Sequence, residues 1–182
     1  MDANSKDFNS YAGFTIGPIY DVLSSARKTK ELWFGSYFFS WFMESIIEEL
    51  SKNKKVKFIT PYVSLDNNSN FIPNKSIIGK YHDRFILLSS LPKEELFNKI
   101  KEACESVVRF FTVLLNDLIY LTGSSYLNSF TKTNIEEFFS KYLQLNFVVL
   151  DAYTFNGLKE PEIVSELEKY LDSMEENRTF KI

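Results

Sequence analysis

The sequence predicts an α+β domain in which strands and long amphipathic helices follow the order β-α-β-β-α-β. Three observations carry this expectation. Short apolar runs of strand length, bounded by turn residues, fall at Tyr11–Ile16, Val56–Thr60, Arg84–Leu88 and Asn146–Leu150. Apolar residues at helical spacing fill the long intervals after the first and third of these runs. Only six glycines and five prolines occur in 182 residues, which favours long regular elements over a loop-rich scaffold.

Residues 1–10 are polar and read as a flexible N-terminus ahead of a single domain, 11–182. The first strand closes at Gly17-Pro18, and a helix is expected to open at Pro18, because proline at a first helical position loses only an orphan donor. Ile19, Val22, Leu23 and Ala26 give that helix its apolar stripe. Thr29 caps a second run from Leu32 to Leu50 with Trp33, Phe39, Phe42, Met43, Ile46 and Ile47. The spacing allows one kinked helix over Pro18–Leu50 or two separate ones. Val56–Thr60 then ends at Pro61, and Tyr62–Lys80, rich in Asn, Ser and Pro, reads as a loop. Arg84–Leu88 has the unbroken apolar character of a buried strand. Pro92 sits at the start of a long helix to Leu121 whose stripe runs Ile100, Ala103, Val107, Phe110, Phe111, Leu114, Leu118. A short helix over Asn134–Tyr142, the strand Asn146–Leu150 and a C-terminal helical extension from Pro161 to about Met174 complete the chain. Two strand–helix–strand units joined centrally make the ferredoxin-like topology: an antiparallel sheet with both long helices on one face.

Composition narrows the function classes. Hydrophobic residues are 45% and charged residues 25% of the chain, as in globular domains, so disorder is excluded. Aromatics reach 16%, enough for a substantial core. The net charge of −3 gives no bulk support for non-specific nucleic-acid binding, although basic residues cluster at Arg27-Lys28-Thr29-Lys30 and from Lys52 to Lys57. A single cysteine, Cys104, allows no internal disulfide, and the absence of a signal peptide reads as a cytosolic, cytoplasmic location. Leu32 to Ile47 is interrupted by Ser36, Ser40, Glu44 and Ser45 and is too polar to span a bilayer.

Catalytic constellations are sparse. His82-Asp83 is the dipeptide of HD phosphohydrolases, but such a metal site needs several histidines and this chain has one. A turn leading into a strand is the better account. Asp21, Asp66, Asp83 and Asp151 form no adjacent acidic pair for two-metal phosphoryl transfer. Glu48-Glu49 and Glu94-Glu95 read as solvated helix faces, and Cys104 as core. No glycine-rich phosphate loop, Walker motif, Cys-x-x-Cys pair or nucleophile elbow occurs. What remains is Thr15 to Ser40, where three basic residues fall within four positions and Gly35-Ser36 interrupts a strong apolar pattern. Glycine inside a helix costs about 1 kcal/mol relative to alanine, so something approaches the backbone closely there. Tight internal packing and a bound ligand are both compatible with that.

The segment GPIYDVLSSARKTKELWFGSYFFSW resembles the N-terminal palm of the large, polymerase/cyclase-like subunit of type III CRISPR effector complexes, of the Cmr (III-B) kind. Gly17, Pro18, then Ala26, Arg27, Lys28, Thr29, Lys30, Glu31, Leu32, Trp33, Gly35 and Ser36 match that family's pattern in order. His82-Asp83-Arg84-Phe85 is similar to its Pro-Asn-Arg-Phe before a strand, and Glu176-Asn177-Arg178-Thr179-Phe180 to its Arg-x-Phe junction. Tyr20 stands where the family has Gln, and Asp83 where it has Asn. Against that family's pattern, an HD nuclease domain ahead of the first strand and a second palm with its Gly-Gly-Asp-Asp hairpin are expected outside this stretch of sequence.

The resemblance implies one half of a paired palm in an RNA-guided antiviral complex. It implies that ATP, with a divalent metal, is polymerised into a signalling nucleotide by the full subunit, its metal-binding carboxylates lying on the second palm. This half is then non-catalytic and helps shape the ATP pocket, with Arg27, Lys28, Gly35, Ser36 and Arg84 as the expected nucleotide-binding residues. The chain alone is expected to hold no cofactor. Expected partners are the second palm and other subunits, with guide RNA and target RNA met indirectly, and no membrane. The alternative is a ferredoxin-like interaction scaffold with no nucleotide site.

Overall fold

The computed structural model describes residues 8–68, 70–73, 80–122, 135, 137, 139 and 142–176. The elements are β1 (Ser10–Gly17), α1 (Ile19–Ser25), α2 (Thr29–Ser51), β2 (Val56–Thr60), β3 (Arg84–Ser89), α3 (Lys93–Thr122), β4 (Gln144–Asp151) and α4 (Glu160–Glu176), with a 3-10 turn at Ala152–Phe155. The four strands form one sheet in the order β2-β3-β1-β4, every neighbouring pair antiparallel. Since β1 and β2 both run against β3 between them, they are parallel to each other and joined by a helical crossover. This is the split β-α-β arrangement of the ferredoxin-like topology that the element order predicts.

Strand alternation divides the core in two. Ala12, Phe14 and Ile16 of β1, with Phe85, Leu87 and Val149, point to the face covered by both long helices. There α2 contributes Phe39, Phe42, Met43, Ile46, Ile47 and Leu50, and α3 contributes Leu96, Ile100, Ala103, Val107 and Phe111. Phe14 and Phe85, opposite each other in the register, stack with ring centroids 4.7 Å apart. Cys104 is buried in this layer, and burial pushes its thiol up to about 12.

The opposite face is also covered. Ile86, Phe155, Ile163 and Leu167 pack there with Tyr11, Ile59, Val148 and Leu150, so the expected C-terminal extension, α4, is the roof of the sheet's second side. Its seat is a glycine: a Cβ on Gly13 would lie 3.3 Å from Leu171 Cδ1. Strand β3, buried almost throughout, has no polar alternation because it faces helices on both sides.

The expected helix Pro18–Leu50 is two helices. Ala26 (φ −67°, ψ 125°) and Lys28 (φ −133°, ψ 147°) are extended, and the chain turns back between them. Gly35 makes room for α1 to fold back on α2: its added Cβ would meet Val22 Cγ1 at 3.2 Å and Leu23 Cδ2 at 3.3 Å. In one continuous helix, residues 22 and 35 would stand about 20 Å apart. Lys28, not Thr29, is the N-cap, and Pro18 precedes the first helical turn in extended geometry. The sheet begins at Ser10, whose Oγ donates to the Leu91 carbonyl at 2.8 Å; of the stretch 1–10 expected as a flexible N-terminus, residues 1–7 lie outside the described residues. The helix expected over Asn134–Tyr142 is described only at Ile135, Glu137, Phe139 and Tyr142, all helical, and the Arg178–Phe180 junction lies outside the described residues. No helix among the described residues is long and apolar enough to cross a membrane.

Candidate functional site at the turn between the first two helices

The turn at Ala26–Lys28 places Arg27, Lys28 and Lys30, all exposed, around the N-terminus of the 23-residue helix α2. Glu31 steadies the turn: its Oε2 accepts from the Arg27 backbone N–H at 2.9 Å, and its own N–H donates to the Lys28 carbonyl at 2.9 Å. The first N–H groups of a helix have no intrahelical partner, and the macrodipole adds positive potential there. Three cations at that end raise the potential further, since only the one carboxylate of Glu31 is engaged with the turn. Ser36 is exposed on α2, seven residues beyond Thr29, which is about 10 Å along the axis and nearly the same face.

One side of this corner is apolar. Leu32, Trp33 and Phe34 are 45%, 52% and 61% exposed, and Trp33 stacks on Tyr37 at 5.3 Å. A cavity of about 640 Å³ opens beside them, walled by Val22, Phe34, Phe38, Trp41, Leu114 and Leu118 of α1, α2 and α3. Such a surface can hold an anion at its tip and an apolar partner along its flank.

Arg27 and Lys28 stand at the α2 N-terminus and Gly35 and Ser36 about two turns into that helix, whereas Arg84 lies on the other face of the sheet. Gly35 is buried under α1, where internal packing already gives glycine a reason. Arg84 projects from β3 onto the α4 face, where Nη1 meets Asp172 Oδ1 and Nη2 meets Glu175 Oε2, each at 2.7 Å. Glu175 Oε1 also accepts from Thr15 Oγ1. Partial burial works against the guanidinium's charge, and the two carboxylates outweigh it, so its pKa lies above the ordinary value. The pairing of Asp172 and Glu175 with Arg84 was not legible in the sequence, although their spacing of three on one helix puts both on one face.

His82 is exposed, and the neighbouring Asp83 carbonyl accepts from the Ile16 N–H at 2.9 Å, which makes the dipeptide a backbone-held lead into β3. Among the described residues no three metal-ligating side chains come together. In the loop after β2, the Asp66 carboxylate accepts from the Asn68 and Asn70 backbone and from the Asn70 side chain, and these bonds, Asn70's foremost, hold it below the usual carboxylate range.

The four-stranded antiparallel sheet under its helical layer defines an α+β domain of ferredoxin-like topology, with a basic, aromatic corner on that layer. Residues 11–112 match the family model described as CRISPR-associated protein Cmr2, N-terminal, and the chain belongs to that family. It is thereby part of a subunit of the type III-B CRISPR complex. No curated protein matches the chain. The match runs from β1 into α3 and contains all five expected site residues, whereas β4 and α4 fall beyond it.

Proposed function

We propose that this domain is the non-catalytic first palm of the subunit, and that it completes an ATP pocket with a second palm and docks neighbouring subunits. The carrying observation is the α1–α2 corner, where Arg27 and Lys28 flank the α2 N-terminus and the exposed Ser36 lies about 10 Å further along the same helix. A triphosphate needs donors and positive charge, and a charge-assisted hydrogen bond contributes about 1.5–3 kcal/mol. Arg27 and Lys28 supply charge in this reading, Ser36 a hydroxyl, and Gly35 the close α1–α2 packing that holds the corner. The donor set fits a polyphosphate. It does not fit a divalent metal, since no carboxylate group gathers there, so metal coordination falls to the second palm. Arg84 acts from the other face, holding α4 in place through Asp172 and Glu175 rather than reaching the same phosphate. Guide and target RNA are then met through the assembled complex.

A second reading, an interaction scaffold with no nucleotide site, draws on two observations. Gly35 is accounted for by Val22 and Leu23, and Arg84 is committed to two carboxylates. Titration of ATP into the two-palm assembly separates the readings. Saturable binding that weakens on Ser36→Ala or Lys28→Ala supports the pocket, and binding indifferent to both supports the scaffold.

A further inference from the structure

A second basic surface lies at the opposite end of α2, about 33 Å along its axis from the first. The turn from Lys52 to Lys57 carries four lysines in six residues of a chain whose net charge is −3. Hydrogen bonds fix this turn. Asn53 Oδ1 accepts from the Lys55 N–H at 3.0 Å, the Asn53 carbonyl accepts from Val56 N–H at 3.0 Å, and the Lys55 carbonyl accepts from Ser90 N–H and Ser89 Oγ. A cleft of about 640 Å³ opens between the turn and α3, walled by Lys52, Asn53, Lys54, Lys99, Ser106 and Arg109. The acids of this cleft, Glu49 and Glu102, are paired to Lys52 and Lys99. Lys54 and Arg109 have no acidic partner among the described residues, nor do Lys55 and Lys57 on the same turn, so the cleft keeps an excess of positive charge.

A second cleft of about 470 Å³ adjoins the first, sharing Lys54 and Val56 with it, and is lined by Lys57, Phe58, Leu65 and Tyr62. Tyr62 is 83% exposed. Ser51 Oγ, at this cleft, is buried without a hydrogen-bond partner among the described residues. We propose that the two clefts form a path for a single-stranded polynucleotide, with phosphates on Lys54, Lys57 and Arg109 of the clefts and on the exposed Lys55 of the turn, and a base on the Tyr62 ring. Lysine, arginine, serine and asparagine are the side chains that meet phosphate oxygens, and an exposed aromatic beside them accepts any base by stacking. An acidic protein segment fits less well, because the exposed apolar side chains, Tyr62 and Leu65, belong to the second cleft alone and leave the basic cleft without an anchor of the kind that dominates protein interfaces. The path is independent of the nucleotide reading, being built on the other end of α2.

The test is binding of fluorescent 12-nucleotide RNA and DNA oligomers, and of poly-glutamate, to the full chain between 50 and 200 mM salt. Four phosphate contacts predict a slope of log affinity on log salt near −3, falling to about −1.5 in the Lys54→Ala/Arg109→Ala variant. Tyr62→Ala weakens single-strand binding about tenfold and changes duplex binding little. Photo-crosslinking of a 4-thiouridine oligomer to the unaltered chain gives adducts in residues 51–65, a readout that needs no variant. RNA and DNA binding equally well supports a path read through backbone and stacking. Absence of binding at 50 mM salt, binding unchanged by all three substitutions, adducts elsewhere, or capture of poly-glutamate but no oligonucleotide would each overturn the proposal.

Discussion

Replacing Gly35 measures what the interruption in α2 is for. A Cβ at this position lies 3.2 Å from Val22 Cγ1 and 3.3 Å from Leu23 Cδ2, a few tenths of an ångström too close. Gly35→Ala gains about 1 kcal/mol of helix propensity and loses a similar amount in displacing two side-chain tips, so the net change stays within about 1 kcal/mol. Gly35→Leu has no such balance. Its further carbons must enter the space held by Val22 and Leu23, at an overpacking cost of about 1–3 kcal/mol. For a chain of this size each kcal/mol lowers Tm by about 2–4 °C, so the leucine variant melts roughly 2–12 °C lower. Because α1 has no fully buried residue to anchor it, the strain is relieved by lifting α1, and limited proteolysis cuts first between residues 19 and 28. A leucine variant with unchanged Tm and an unchanged cleavage pattern would show that internal packing is not what requires the glycine.

Other outcomes follow from the same structure. Arg84→Ala removes a partly exposed double ion pair, each half contributing up to about 1 kcal/mol, and raises hydrogen exchange in α4 while β1 stays protected; equal protection of α4 in both proteins would contradict the assigned role. Gly13→Val has the same effect by steric means, pushing Leu171 away from the sheet, and unaltered α4 protection there would mean the seat is not tight. Burial lifts Cys104 from about 9 and Tyr81, aided by Glu44, from about 10, each to about 12. The folded chain therefore retains protons that the unfolded chain releases, so this stability is complete below about pH 9 and declines from there towards pH 12. The urea midpoint should fall across that window, less steeply in Cys104→Ala, and a flat midpoint between pH 9 and 11 would contradict the assignment. The isolated chain should show no metal-dependent phosphodiesterase or cyclase activity; product that tracks with the protein through independent purifications would refute that.

Much of the fold was legible in the sequence because periodicity is a local property. All four strands, the helical run ending at Leu50 and the helix after Pro92 stand within a few residues of their expected positions, and the order β2-β3-β1-β4 follows from the split β-α-β pattern. What the pattern could not supply was tertiary. The break at Ala26–Lys28 is written in residues that suit a helix, and the seating of Val22 and Leu23 on Gly35 is possible only because the chain turns there. Placing α4 on the second face needed partners on other elements, although the unbroken apolar run of β3 was a signal that both faces are covered. The candidate site divided for the same reason. Arg27, Lys28 and Ser36 are near neighbours along the chain, whereas Arg84 was grouped with them by resemblance, and strand alternation turns it to the opposite side.

In the proposed function, the α1–α2 corner contributes to a nucleotide pocket completed by a second palm. This contribution is tested most directly by calorimetric titration of ATP into the complex containing the full-length subunit, comparing the unaltered protein with Ser36→Ala. The substitution removes one hydroxyl from an exposed helical position and leaves Tm unchanged. Loss of a hydrogen bond to a charged phosphate weakens ATP binding by about ten- to a hundredfold. ATP affinity equal to that of the unaltered complex, at equal stability, would contradict the account and leave the domain an interaction scaffold.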